Sequence, residues 1–289
     1  MRVLITGAAG QVGSALVRSV PPGIELHALT REQLDIGDAR AVHAAVAAFR
    51  PQLIINAAAY TAVDQAESEL FLADAINAQG PQHLAEAAYV QDDCRLIQIS
   101  TDYVFDGRGS EPYRPGDTTH PLSVYGRTKL AGEQAVLAAL GRRAVVLRTA
   151  WIYAPQGRNF LLTMLRLMRT RGAVRVVADQ KGSPTAATSI ARALWRIAER
   201  PGVRGILHWT DGGVASWYEF ACAIAEEALA AGLLSQTVQV TPISTADYPT
   251  AAQRPANSVL DTRDSVAQLG MTPEHWRHSL RATLAQLRE

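Results

Sequence analysis

Only two cysteines, Cys94 and Cys222, occur in the 289 residues, and they lack CxxC spacing. That scarcity excludes a disulfide framework and makes redox chemistry at sulfur an unpromising reading. Reduced, packed thiols in a cytoplasmic protein are the expectation. An excess of either charge is missing too, because 28 basic against 27 acidic residues leave a net charge of +1. Nothing therefore draws the whole chain toward nucleic acid or anionic lipid, so no nucleic-acid partner and no membrane partner are expected, and a charged ligand has to be held locally. No apolar run approaches the roughly 20 residues of a membrane span. Met1-Arg2 lead into an apolar stretch too short for the h-region of a signal peptide. Repeats, low-complexity tracts and long linkers are also lacking, which fits closely packed lobes better than tethered modules.

What the chain does have is apolar bulk: 48% hydrophobic residues suffice for one large domain or two sharing a cleft. Short apolar runs alternate with helical patterns through the first half: Val3-Leu4-Ile5, a helix from about Gln11, Glu25–Leu29, a helix carrying Val42, Ala45, Val46 and Phe49, then Leu53-Ile54-Ile55. The alternation continues through a helix over 82–89, the run Arg95–Ile99, a helix after Leu122, and Ala144–Leu147. Such an order predicts an α/β fold with a doubly wound parallel sheet. Beyond Trp151 the pattern loosens into helices over about 159–169, to Arg200, and around Trp217 to Ala228, with a strand near Val174–Val177. Residues 1–150 thus read as a dinucleotide-binding domain and 151–289 mainly as a smaller, mostly helical substrate lobe, some segments of which return to the sheet.

Gly7-Ala8-Ala9-Gly10-Gln11-Val12-Gly13 follows the first strand and opens the first helix. Glycines there permit a tight turn and close backbone approach, while the exposed amides of a helix N-terminus favour a pyrophosphate. At the end of the second strand, where dinucleotide folds often place an acid for the adenosine ribose, stand Thr30 and Arg31. An arginine suits a 2′-phosphate, so NADPH is favoured over NADH. Asp35 and Ile36 are candidates for the adenine, and Ala57, Ala58, Ala59, Tyr60 and Thr61 are expected beside the cofactor because they end the third strand at the carboxyl edge of the sheet.

Tyr125 and Lys129 are four residues apart on one helix face, so a phenol and an ammonium can address the same group. The ammonium is expected to draw the phenol, whose ordinary pKa is about 10, toward phenolate and so equip it for proton transfer. Lys129 is also placed to hold the nicotinamide ribose. Ser100-Thr101-Asp102 follow the fourth large strand, where a hydroxyl can bind the oxygen of a ketone that is gaining charge.

The set Gly7-x-x-Gly10-x-x-Gly13, Asn56–Ala59, Ser100–Phe105 and Tyr125-Gly126-x-Thr128-Lys129 resembles the extended short-chain dehydrogenase/reductases. Thr61–Asp64 with Glu67, Ser100–Gly107, Arg148–Trp151 and Arg254–Ser258 narrow the resemblance to the branch acting on dTDP-linked 4-ketosugars, over nearly the whole chain. It implies reduction of the C4 ketone of dTDP-6-deoxy-L-lyxo-4-hexulose to dTDP-L-rhamnose by NADPH, with NADH possible. Tyr125 would be the acid, Lys129 its partner and Thr101 the carbonyl orienter, with Thr101, Asp102, Tyr125 and Trp151 meeting the substrate. Some members of the family form metal-bridged dimers through acids whose positions here are Ser14 and Thr188. Neither hydroxyl holds Mg²⁺ strongly, so the expectation is no metal and a monomer or a homodimer built without one. His275 and His278 read as surface residues, and Asp64, Glu67 and Glu69 as acids favouring a helix start. Another 4-ketosugar reductase or an epimerase uses the same Thr/Tyr/Lys set, and a non-catalytic NADP-binding regulatory subunit is the reading from a different class.

Overall fold

The computed structural model describes residues 1–287. The first half runs β1 (Arg2–Thr6), α1 (Gln11–Arg18), β2 (Glu25–Leu29), α2 (Ala39–Phe49), β3 (Leu53–Asn56), α3 (Gly80–Tyr89), β4 (Arg95–Thr101), α4 (Val124–Leu140) and β5 (Ala144–Thr149). After it come α5 (Phe160–Arg171), β6 (Ala173–Val177), α6 (Ala187–Ala198), β7 (Gly205–His208), α7 (Trp217–Ala230), β8 (Gln239–Ile243), α8 (Arg263–Leu269) and α9 (Trp276–Ala285). Two short helical turns, Val63–Ala66 and Leu70–Asp74, and a π-helical turn, Ala75–Gln79, bridge β3 and α3.

Six strands form one parallel sheet in the order β7-β5-β4-β3-β1-β2. Helices cover both of its faces, so its inner strands are apolar without alternation: β3 and β5 are buried at every residue, whereas β2, at the edge, keeps a mixed pattern. On one face Val12 and Leu16 of α1 pack with Ile190, Leu194 and Trp195 of α6. Val42, Val46, Leu84, Ala88, Val136 and Leu140 fill the other. A separate core in the second half joins Leu161, Leu165, Val176, Phe220, Ile224 and Leu280 around the parallel pair β6–β8.

The order in which strands are added reverses between β1, which is followed by β2 on one side, and β3, which leads away to β4, β5 and β7 on the other. The crevice beyond the carboxyl ends of strands at such a switch is where open parallel sheets bind ligands. The candidate site lies at that edge. Both β7, which pairs with β5, and α6, which packs on α1, come from after residue 150, so the layer built around the parallel sheet is completed by the second half.

Candidate active site

At the switch point, the loop after β1 and the end of β3 nearly touch. Gly7 has φ +70°, and a Cβ added to it would lie 2.6 Å from the amide nitrogen of Ala58, so only glycine lets the two main chains pass. A cavity of about 350 Å³ opens there, lined by Gly7 and Gly10, by Arg31, Asp35 and Ile36, and by Ala57, Ala58, Ala59, Tyr60 and Thr61. Folding thus gathers segments from three strand ends around one concave space. Its chemistry suits a dinucleotide: small side chains where a backbone must approach, a helix N-terminus for an anion, and one guanidinium at the rim. Gln11, Val12, Gly13 and Thr30 lie next to this lining and not in it. Val12 is packed in the core and Gly13 is buried beneath the loop, so any contact they make with an anion comes from the main chain.

Thr101 ends β4, and its hydroxyl accepts from the Tyr103 amide at 3.1 Å and donates to Asp102 Oδ1 at 3.0 Å. The second carboxylate oxygen of Asp102 is buried without a hydrogen-bond partner among the described residues. Burial pushes this acid up to about 6, with Ser258 and Thr101 pulling the other way. Ser123 caps α4 by accepting from Gly126, which sets Tyr125 in the first turn. The phenol is pushed up to about 12, chiefly by burial and further by the charge of Asp102, against the Thr101 hydroxyl, which favours the phenolate. Lys129, also buried, donates from Nζ to the Ile99 carbonyl at 2.6 Å and is drawn down to about 8 by burial, with Glu133 one turn along opposing.

The expected pull of Lys129 on Tyr125 toward phenolate is therefore not what this arrangement holds. Burial holds the phenol above its ordinary value, and the ammonium donates to a strand carbonyl. The outcome still suits reduction, since a partly buried phenol that keeps its proton is equipped to donate it.

From Tyr125 the site continues through Tyr103, whose ring meets it edge-on at 5.7 Å, to Arg254, which pairs with Asp64 at 2.8 Å. Arg254 lines a second and larger cleft of about 730 Å³, together with Phe160, Arg171, Arg175, Trp217 and Tyr248. Trp151 stands beside it with φ +47°, rare for a bulky residue, and its ring stacks on Trp217 at 3.5 Å with the planes 3° apart. A strained aromatic held flat against the wall of a cleft points to use by a ligand.

The family model described as the RmlD substrate binding domain matches residues 1–289. The chain belongs to that family. It is 46% identical to the dTDP-4-dehydrorhamnose reductase of Mycobacterium tuberculosis, over 98% of this chain and 92% of that protein. A probable dTDP-4,6-dihydroxy-2-methyloxan-3-one 4-ketoreductase of Streptomyces antibioticus is 44% identical, over 97% and 94%. Among solved structures, the dTDP-4-dehydrorhamnose reductase of Bacillus anthracis in complex with NADP superposes with a TM-score of 0.92 at 36% identity, covering 99% of both chains.

In this RmlD-family chain several residues that serve the site escaped the sequence reading. Glu32, three residues beyond the end of β2, lines the cofactor cavity beside Arg31. Asn77, in the π-helical turn, accepts from the Tyr60 amide at 2.9 Å and donates to Thr128 Oγ1 on α4 at 3.3 Å, joining the cavity wall to the helix that carries Tyr125. Trp217, read from the sequence only as part of a helix, forms the stack with Trp151. Of the acids read as favouring a helix start, Asp64 pairs with Arg254, Glu67 accepts from the Val124 amide at 2.8 Å, and Glu69 accepts from the Tyr60 hydroxyl at 2.6 Å. Ser14 spends its hydroxyl on the Ala8 carbonyl at 3.1 Å. Among the described residues, no group of three or more His, Cys, Asp or Glu side chains is placed to hold a metal ion, and no helix is long and apolar enough to cross a membrane.

Proposed function

We propose that this chain reduces the C4 ketone of dTDP-6-deoxy-L-lyxo-4-hexulose to dTDP-L-rhamnose, with NADPH as preferred cofactor and NADH as a second. The observation that carries the proposal is at the carboxyl end of β4, where the Thr101 hydroxyl favours the ionised form of Tyr125 and Lys129 donates to the Ile99 carbonyl, in a chain whose relatives of 46% identity bear that activity in their names. The nicotinamide, when bound, supplies a hydride to C4 of the sugar. As the carbonyl oxygen gains charge, Tyr125 Oη gives it a proton and later regains one from solvent. Thr101 hydrogen-bonds the same oxygen and keeps the carbonyl in line. Lys129, buried and cationic at neutral pH, stabilises negative charge as it appears on the phenol oxygen. The unpartnered oxygen of Asp102 accepts from a sugar hydroxyl. In the larger cleft, Phe160, Trp217 and Tyr248 offer faces for the base, and Arg171, Arg175 and Arg254 offer charge for the diphosphate.

The Streptomyces relative supports a second reading, a 4-ketoreductase for a different dTDP-sugar, since it matches nearly as well under another name. Incubating the chain with NADPH and each ketosugar, and identifying the reduced sugar, decides between them. Turnover with neither would support a non-catalytic NADP-binding subunit, and retention of bound NAD through a cycle an epimerase. The two unpaired cysteines suit the cytoplasm, and hydroxyls at positions 14 and 188 suit a monomer or a homodimer without bridging metal.

A further inference from the structure

Gln11, the first residue of α1, meets a side chain 148 positions later: Asn159 Nδ2 donates to Gln11 Oε1 at 2.8 Å. Asn159 is the N-cap of α5, the helix whose first residue, Phe160, lines the larger cleft. Its orientation is not free. Oδ1 accepts from the Leu162 amide at 3.0 Å, and Nδ2 also donates to the carbonyls of Ala154 at 2.9 Å and Gln156 at 3.3 Å. Turning the amide over would set oxygen against two carbonyls and N–H against N–H, so Asn159 has to be the donor. A fixed donor dictates its partner: Gln11 must present its oxygen, and its two Nε2 hydrogens have no acceptor among the described residues. The loop before Asn159 rests on the same side chain, since a Cβ added to Gly157, at φ +80°, would lie 3.4 Å from Gln11 Cγ. Gln11 directly follows Gly10 of the cofactor cavity and opens the helix whose first amides lack acceptors.

We propose that Asn159 is a positioning residue for the cofactor, holding the Gln11 amide so that its N–H pair is offered to an anion such as a dinucleotide pyrophosphate. The second half of the chain thereby completes the cofactor site through one side chain that also starts a wall of the larger cleft. The inference rests on the dinucleotide reading of the cavity.

The test measures binding of NADPH, ADP and AMP to the full chain and to Asn159→Ser, Gln11→Met and the double variant. ADP carries the pyrophosphate that AMP lacks, and serine retains a capping oxygen for α5. Each single variant is expected to bind NADPH and ADP about tenfold more weakly, with AMP unchanged. The double variant should bind no worse than Gln11→Met, because Asn159 acts through Gln11. Losses that multiply in the double variant, or that fall equally on AMP, would overturn the proposal and leave Asn159 a helix cap only. Failure of the parent chain to bind NADPH at all would instead sink the dinucleotide reading. Should Asn159→Ser unfold, Asn159→Asp keeps the cap and removes the donor, and unchanged affinity for NADPH in that variant would overturn the proposal equally.

Discussion

Asp102 lies buried at the end of β4 with one oxygen bonded to Thr101 and the other without a partner among the described residues, and burial raises its carboxyl from 3.8 to about 6. Because the folded value lies above the ordinary one, the folded chain holds this proton more tightly than the unfolded chain does. The resulting stability is complete below about pH 4 and is lost as pH rises through 6. Asp102→Asn is therefore expected to raise stability at pH 7 by about 2 kcal/mol, to give no gain below pH 4, and to slow ketone turnover. Denaturant midpoints at the two pH values, with a rate assay, check this, and a gain equal at both would contradict it. Residue-scale balance is also expected to set cofactor choice. Arg31 and Glu32 share the cavity rim, so a 2′-phosphate attracted by one is repelled by the other, while a ribose hydroxyl can be accepted by the acid. Glu32→Gln is expected to raise the NADPH over NADH preference in kcat/KM several-fold, roughly the effect of losing one such charge contact. Arg31→Ala should lower it, and unchanged ratios in both would remove these residues from the account. The sequence made Arg31 visible because it stands where an acid is customary. Glu32 looked like any loop residue until the loop was folded.

Among the elements, α4 carries the burden of position. Its start is fixed from four directions: the Ser123 cap, the Glu67 carboxylate on the Val124 amide, the Asn77 bond to Thr128, and a close approach to the Tyr103 carbonyl. A Cβ on Gly126 would lie 2.2 Å from that carbonyl oxygen, and backbone cannot yield as a side chain would. Gly126→Ala is expected to cost about 1–3 kcal/mol of stability and to reduce kcat more than it weakens NADPH binding, because the displaced turn bears Tyr125. Equal kcat in parent and variant would show that the contact is not needed for catalysis. The helix itself was legible from its apolar spacing, and so were β1 to β5 from their buried runs. Its anchors were not. Glu67, Asn77 and Tyr103 are tied to α4 across tens of residues, and no local periodicity carries such a pairing. The same holds for Asp64 with Arg254 and for Asn159 with Gln11.

In the whole molecule, the parallel order of the sheet brings the carboxyl ends of β1, β3 and β4 to one edge, and the second half closes over it with the Trp151–Trp217 stack and the cleft around Arg254. Alternation of strand and helix made that layer readable in advance, whereas the return of β7 to the sheet was expected only in outline, because a four-residue strand after a helix leaves a weak trace. The account as a whole rests on Tyr125 as the proton donor, held neutral by burial beside Thr101 and Lys129. Its most direct test is single-turnover reduction of the dTDP-4-ketosugar by Tyr125→Phe at saturating NADPH, with NADPH affinity measured alongside. The account expects the rate to fall at least about a hundredfold, the usual worth of a positioned acid, while NADPH binds nearly as it does to the parent. A Phe variant reducing the ketone at the parental rate would contradict it.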